Sequence, residues 1–181
     1  MTQFRLLTPG RQLDAAAPAI AEILTQVDAE FVPPLSSRAS TTTKSLTGAP
    51  DVPGGGRAAP ALYLNAVLAQ HVILAALNGE VTGLLSFRAG HTEPLLSDWS
   101  PCDYVSTIAV LPEARRQGIA RGLYAHLFAQ TTSTSPHVAT RTWSTNDSHL
   151  SLLAELGFRC VANLSDHRGP GIDTVYYVRP R

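Results

Sequence analysis

Arg115-Arg116-Gln117-Gly118-Ile119-Ala120-Arg121 places three arginines and a glycine in the middle of the chain. An apolar run, Thr107-Ile108-Ala109-Val110-Leu111, precedes them, and an amphipathic helix pattern follows. Pro112 cannot donate to a sheet ladder, so a strand must stop there. Gly118 has no Cβ and lets backbone approach a ligand closely. A helix that opens at Ile119 leaves the N–H groups of its first turn without internal partners, and these groups and the helix dipole favour an anion. Strand, Arg/Gly loop and helix N-terminus together predict a seat for a pyrophosphate. The bland alternative is an ordinary strand-turn-helix with surface arginines. Two other phosphate loops are excluded. The three-glycine dinucleotide fingerprint is absent. The ATP loop needs a Gly-Lys-Ser/Thr ending, and the only lysine is Lys44.

Two further stretches carry polar chemistry. Residues 31–60 are rich in proline, glycine, serine and threonine, so they predict little regular structure. Within them, Phe31 to Leu35 is apolar enough to pack down, and Ser36-Ser37-Arg38 offers two hydroxyls and a guanidinium. One reading is a surface loop with a solvated arginine. The other is a lid over an acceptor pocket, with Arg38 and Ser37 against a substrate carboxylate. Asp166 to Thr174 is similarly double: a hairpin connection, or, through Arg168 and its glycines, the far wall of that pocket.

The elements that must position these residues follow from periodicity and breakers. Phe4 to Thr8 predicts a strand, Leu13 to Glu30 a helix, Ala61 to Gln70 a second helix and His71 to Leu77 a buried strand. Asn78-Gly79 marks a hairpin, so Val81 to Ala89 returns antiparallel, with Gly83 a bulge or close backbone contact. Next come strand 103–111, helix 119–131, strand 137–143, a helix from about Asn146 to Leu156 stopped by Gly157, strand 158–163 and strand 174–178. The order is β-α-α-β-β-β-α-β-α-β-β. At 181 residues this is the length of one domain, expected to span 1–181.

Composition narrows the function classes. Hydrophobic residues make up 44% and charged residues 15%, a globular balance. Fourteen basic against fourteen acidic residues give zero net charge, which argues against a dedicated nucleic-acid binder. Cys102 and Cys160 form neither a metal-ligand cluster nor a Cys-x-x-Cys pair, so no metal is expected and free thiols are. No apolar run reaches membrane-spanning length and no signal-peptide core opens the chain, so the expected location is cytoplasmic, with no membrane partner.

The stretch from Val110-Leu111-Pro112 through Arg115-Arg116-Gln117-Gly118-Ile119-Ala120 resembles motif A of the GNAT superfamily of acyl-CoA-dependent N-acyltransferases, whose signature is Arg/Gln-x-x-Gly-x-Gly/Ala. Asn146 and Gly157-Phe158 stand at positions matching that family's motif B. The resemblance covers nearly the whole chain, residues 31–60 excepted. It implies an α+β fold: a mixed, mostly antiparallel twisted sheet of about seven strands flanked by about four helices. It also implies a splay between the fourth and fifth strands that receives the pantetheine arm of acetyl-CoA.

The resemblance further implies coenzyme contacts at Ile108, Ala109 and Val110, at the amides of Arg115, Arg116, Gln117, Gly118, Ile119, Ala120 and Arg121, and at Asn146. Asn146 reads equally as a helix N-cap. A backbone N–H near Val110 would polarise the thioester carbonyl. Asp103 matches a position where relatives often carry a base that works through water, though it reads as a strand-end turn residue too. The usual motif B tyrosine is replaced by Leu153. Substitute acids are Tyr124, Tyr176 and Tyr177, each also a packing residue. His126 and His149 are weaker candidates for a base, Ser106 for orienting a water, and Cys102 for a nucleophile.

The expected activity is direct transfer of an acetyl group to a primary amine of a small molecule. A non-catalytic acyl-CoA module, a peptide N-terminal acetyltransferase and a longer acyl donor remain alternatives, and a homodimer is common in such a family. The acceptor stays open among an amine-bearing antibiotic, an amino acid, a polyamine and a protein terminus.

Overall fold

The computed structural model describes residues 1–38, 41, 60–130 and 134–181. The expectation of little regular structure across residues 42–57 and the helix end at Thr131 lie outside the described residues. Within them, the elements are β1 (Thr2–Leu7), α1 (Arg11–Gln26), α2 (Ala61–Leu68), β2 (His71–Leu77), β3 (Glu80–His91), β4 (Cys102–Val110), α3 (Ile119–Phe128), β5 (His137–Trp143), α4 (Asp147–Glu155), β6 (Arg159–Leu164) and β7 (Thr174–Pro180). This is the expected order.

The seven strands form one sheet in the order β1-β2-β3-β4-β5-β7-β6. Every neighbouring pair is antiparallel except β4 and β5, which run parallel. Adjacent residues of a strand point to opposite faces. On β1, Phe4 lies where a Cβ at Gly122 of α3 would meet its ring, while Arg5 donates to Gln12 of α1 at 2.8 Å. The two helices therefore cover opposite faces. Double coverage explains why Val72, Ile73, Leu74 and Ala75 are buried in succession.

Several boundaries shift for local reasons. The first helix ends at Gln26, and Asp28–Glu30 forms a separate short turn of 3₁₀ helix. Pro94–Trp99, between the third and fourth strands, also winds into 3₁₀ structure. β3 runs on to His91, and β7 runs on to Pro180. Asn78 (φ 54°) and Gly79 (φ 93°) both take left-handed backbone, which matches the right-handed twist of a two-residue hairpin.

Gly83 fulfils both expectations for it. The register between β2 and β3 shifts beside it, and a Cβ there would stand 3.1 Å from the Ala109 carbonyl and 3.2 Å from Ile119. Close approach of β3 to β4 and α3 thus depends on a bare α-carbon. Gly83→Val is expected to lower the unfolding free energy by about 1–3 kcal/mol through overpacking. Urea denaturation checks this, and a variant as stable as the parent would refute the close-approach argument.

Candidate active-site cleft

The pairing of β4 with β5 runs from Cys102–His137 to Val105–Thr140 and goes no further. Beyond it the strands part. A cleft of about 500 Å³ opens there, lined by Ser106 to Val110 on one wall and Thr140 to Trp143 on the other. A strand residue directs its N–H and C=O to the same edge, and the edges alternate along the strand. The Ala109 carbonyl faces Gly83 of β3. Ile108 and Val110 therefore face the gap. Ala109 itself lines the cleft with its small side chain.

At one end the cleft reaches the Arg/Gly loop. Pro112–Ala114 forms a 3₁₀ turn, Arg116 takes φ 62° and Gly118, the N-cap of α3, takes φ 75°. No side chain caps α3. A Cβ at Gly118 would meet nothing within 4 Å, so the space before the helix is open to a ligand. The amides of Ile119, Ala120 and Arg121 open the helix, and Gly122 is the first to bond back, to the Gly118 carbonyl at 2.9 Å. Positive-φ residues beside a helix N-terminus form an anion-binding concavity.

The arginines of the loop differ from one another. Arg115 is clamped by both oxygens of Glu30 at 2.9 and 2.7 Å, and its Nε donates to the Val110 carbonyl at 3.0 Å. Arg121 pairs with Glu155. Arg116 makes no ion pair among the described residues and lines the cleft. Gln117 is exposed and does not line it. The seat thus consists of backbone amides with Arg116, rather than of three free guanidiniums.

Asn146 combines its two expected roles in one geometry. Its side-chain oxygen accepts from the His149 N–H at 3.4 Å as the N-cap of α4, its Nδ2 donates to Thr142 at 3.1 Å, and it lines the cleft. Leu153 is fully buried in the main core. Tyr124 is fully buried too, and its hydroxyl lies 3.0 Å from Nε2 of His149. Burial pushes the Tyr124 phenol up, while a hydrogen bond to Thr140 opposes the shift. Tyr124 does not line the cleft, but Thr140 and His149 do. Of the other tyrosines, Tyr176 is buried and Tyr177 is half-buried on β7.

Asp103 is not where a base is needed. It is fully buried at the start of β4, outside the cleft lining, and its carboxylate pairs with Arg181 at 2.7 Å. It also accepts from the Gly90 N–H. The ion pair fixes the β4 start to the last residue of the sequence, 78 positions away. Cys102 is likewise buried, and burial raises its thiol to about 11, which leaves no thiolate for attack. His126 stacks on Phe4, away from the cleft lining.

The cleft gathers residues the sequence scattered. Phe31, Ser106, Arg141 and Trp143 line it. Ser106 contacts Gln70 and Ser86 rather than a free volume of its own. Arg38 donates from Nε and Nη2 to the Pro33 carbonyl at 2.9 and 2.6 Å, and stands 5.5 Å from the Phe31 ring centre. Arg168 stands 5.5 Å from the Trp143 ring centre and donates to Thr174 at 2.9 Å. Ser37 turns its hydroxyl back to the Pro34 carbonyl at 2.7 Å and does not reach the cleft. Arg88 and Arg141 are additions that the sequence reading missed. The available signal was alternation: Arg141 and Trp143 share one face of β5, opposite Thr140 and Thr142.

Comparison with known proteins fits this geometry. The family model described as Acetyltransferase (GNAT) family matches residues 50–158, more than half the chain. The protein therefore belongs to the GNAT family of acetyltransferases. No curated protein matches it. Among solved structures it is similar to an N-acetyltransferase from Staphylococcus aureus Mu50, at 15% identity over 99% of this chain and 98% of that one, TM-score 0.67. It is similar to yncA from Salmonella typhimurium, whose structure holds its cofactor acetyl-CoA, at 19% identity over 99% and 94%, TM-score 0.64. A GNAT-family acetyltransferase from Bacillus cereus ATCC 10987 is similar at 13% identity over 100% and 98%, TM-score 0.64. These likenesses show a shared fold.

Two outcomes follow from the site. Asp103→Asn should lower the thermal midpoint by several degrees by leaving Arg181 without its charge partner. Its kcat/KM, per folded molecule, should stay within about twofold, whereas a lost general base would cost about a hundredfold or more. Burial also holds His149 at about 4, below its ordinary 6.5. The unfolded chain takes up that proton as pH falls from about 6.5 to 4 and the folded chain does not. The contribution to stability is thus complete above 6.5 and lost toward 4. Because His149 is only half-buried on the cleft, solvent screens part of this effect. Urea midpoints should decline from pH 7 to 4.5, and His149→Gln should flatten the decline.

Proposed function

We propose that this protein moves an acetyl group from acetyl-CoA to the primary amine of a small molecule, by direct attack in a ternary complex. The observation that carries the reading is the parting of β4 from β5 beyond Val105, with Ile108 and Val110 facing the gap and an uncapped α3 N-terminus at its end. An extended amide-bearing arm that ends in a diphosphate matches such a gap: strand-like edges for its amides and positive backbone for its phosphates. Acetyl-CoA supplies the activated thioester carbonyl.

The amine nitrogen attacks that carbonyl, a C–N bond forms, the C–S bond breaks, the amine loses a proton and the thiolate gains one. The Val110 N–H faces the gap and stabilises the developing oxyanion. With leucine at position 153, this reading passes the amine's proton to the thiolate by way of the His149 ring, which lines the cleft and is held at 3.0 Å by the Tyr124 hydroxyl. The buried Leu153 also favours a second reading, an acyl-CoA-binding module without turnover.

Gly118→Val tests the first reading at its base. A β-branched residue at φ 75° is strained and its side chain enters the anion seat. Calorimetry should show acetyl-CoA affinity reduced at least about tenfold. Undiminished binding would remove the coenzyme assignment. Thiol release from acetyl-CoA in the presence of an amine panel separates turnover from mere binding.

A further inference from the structure

We infer that the acceptor is a small amine that also carries an oxyanion, a carboxylate or a phosphate ester, and that Arg141 receives it on the wall of the cleft, backed by Arg38, Arg88 and Arg168, which do not line the cleft themselves. The inference rests on the acetyl transfer proposed above and names its acceptor class.

Four guanidiniums converge from four separate segments: the turn after Leu35–Ser37, β3, β5 and the connection before β7. Each is within electrostatic reach of another. Arg141 lowers the proton affinity of Arg38, Arg88 and Arg168, and Arg38 lowers that of Arg168. Burial is the larger cause in each, and Arg168 comes down to about 9, whereas Arg141 itself is held up by Tyr104 and Tyr176 against its burial. Gathering like charges away from water destabilises a fold unless something compensates.

For Arg38, Arg88 and Arg168 the described hydrogen-bond partners are neutral oxygens. No carboxylate makes an ion pair with Arg38, Arg88 or Arg168 among the described residues. Glu93, which acts on Arg88 and Arg141 from a distance, contacts His91 at 3.9 Å. Asp28 is engaged by the N–H and hydroxyl of Ser36. Among the described residues, Nη1 of Arg88 is buried with no partner.

Neutral oxygens stand where charged ones would fit. Arg38 reaches the Pro33 carbonyl, and Arg168 the Val32 carbonyl. Thr41 turns its hydroxyl to Arg88 and its carbonyl, at 3.3 Å, to Arg141. Two oxygens of one residue against two guanidiniums is the pattern that a carboxylate or phosphate makes with greater strength.

The cluster is joined to the cleft by its walls. Phe31 and Trp143 line the cleft and carry Arg38 and Arg168 over their rings, while Arg141 lines it directly. Tyr176 receives a further hydrogen bond from Arg141. An oxyanion here lies on the β5 face opposite Thr140 and Thr142, so its amine can enter the gap between β4 and β5. A cationic acceptor such as a polyamine would be repelled by the same charges.

The test compares matched amines with the intact protein and acetyl-CoA: L-leucine against isopentylamine, O-phosphoethanolamine against ethanolamine, and spermidine. At least one oxyanion-bearing amine should exceed its neutral partner about a hundredfold or more in kcat/KM. The two pairs distinguish carboxylate from phosphate. Arg38→Gln and Arg168→Gln should each raise the KM of that amine about tenfold or more while acetyl-CoA affinity stays within about twofold. Should Arg168→Gln fail to fold, the wild-type panel and Arg38→Gln carry the decision. Preference for isopentylamine, ethanolamine or spermidine overturns the inference and leaves acetyl transfer standing. No thiol release with any amine overturns both.

Discussion

Everything in the cleft depends on where one parallel strand pair stops. β4 stays paired with β3 to Val110, whereas its pairing with β5 ends at Val105. A strand released on one edge carries polar groups that must be satisfied by something other than a neighbouring strand. Arg115 already takes the Val110 carbonyl, and Glu30 holds Arg115 in turn. The fold thus accepts an open edge of a few residues, bridged at its far end by one ion pair. Between the bridge and the last ladder pair lies the space for an extended ligand.

The release also gives the cleft two chemically different ends. Residues of β5 alternate, so Thr140 and Thr142 face the hydroxyl of Tyr124 and the α4 cap, while Arg141 and Trp143 face Phe31 and the loop before β7. At the α3 end, positive potential comes from backbone amides and one unpaired arginine, with the flanking arginines tied to Glu30 and Glu155. At the other end it comes from side chains. The gap between the strands joins the two, since neither face alone holds both sets of groups.

The legible parts of this arrangement were the local ones. Pro112, Gly118 and the paired arginines specify a strand stop, a left-handed cap and an anion seat within a dozen residues, because each effect acts through the backbone nearby. Asn78-Gly79 fixed a hairpin for the same reason. Asp103 was misleading because its partner, Arg181, lies 78 residues away and nothing local announces a buried ion pair. Ser37 was misleading in a smaller way: its hydroxyl satisfies its own turn. The four-arginine cluster escaped as a cluster, although Arg38 and Arg168 were singled out separately. Charged residues inside strands read as solvent-facing until the neighbouring connections are known to cover them.

That cluster is where the sequence departs from what stability alone would favour. Elsewhere the described ion pairs each join opposite charges, and the buried positions of β2 are apolar. Beside the cleft, Arg38 and Arg168 stand over two aromatic rings, and the described hydrogen-bond partners of Arg38, Arg88 and Arg168 are carbonyls and hydroxyls. Cation–π contact contributes roughly 0.5–2 kcal/mol per pair. Removing a charge from water costs several kcal/mol per ion. For Arg38 and Arg168 the aromatic contacts therefore offset only part of the cost. Among the described residues, this concentration of like charge is a local conflict of the kind that functional sites carry.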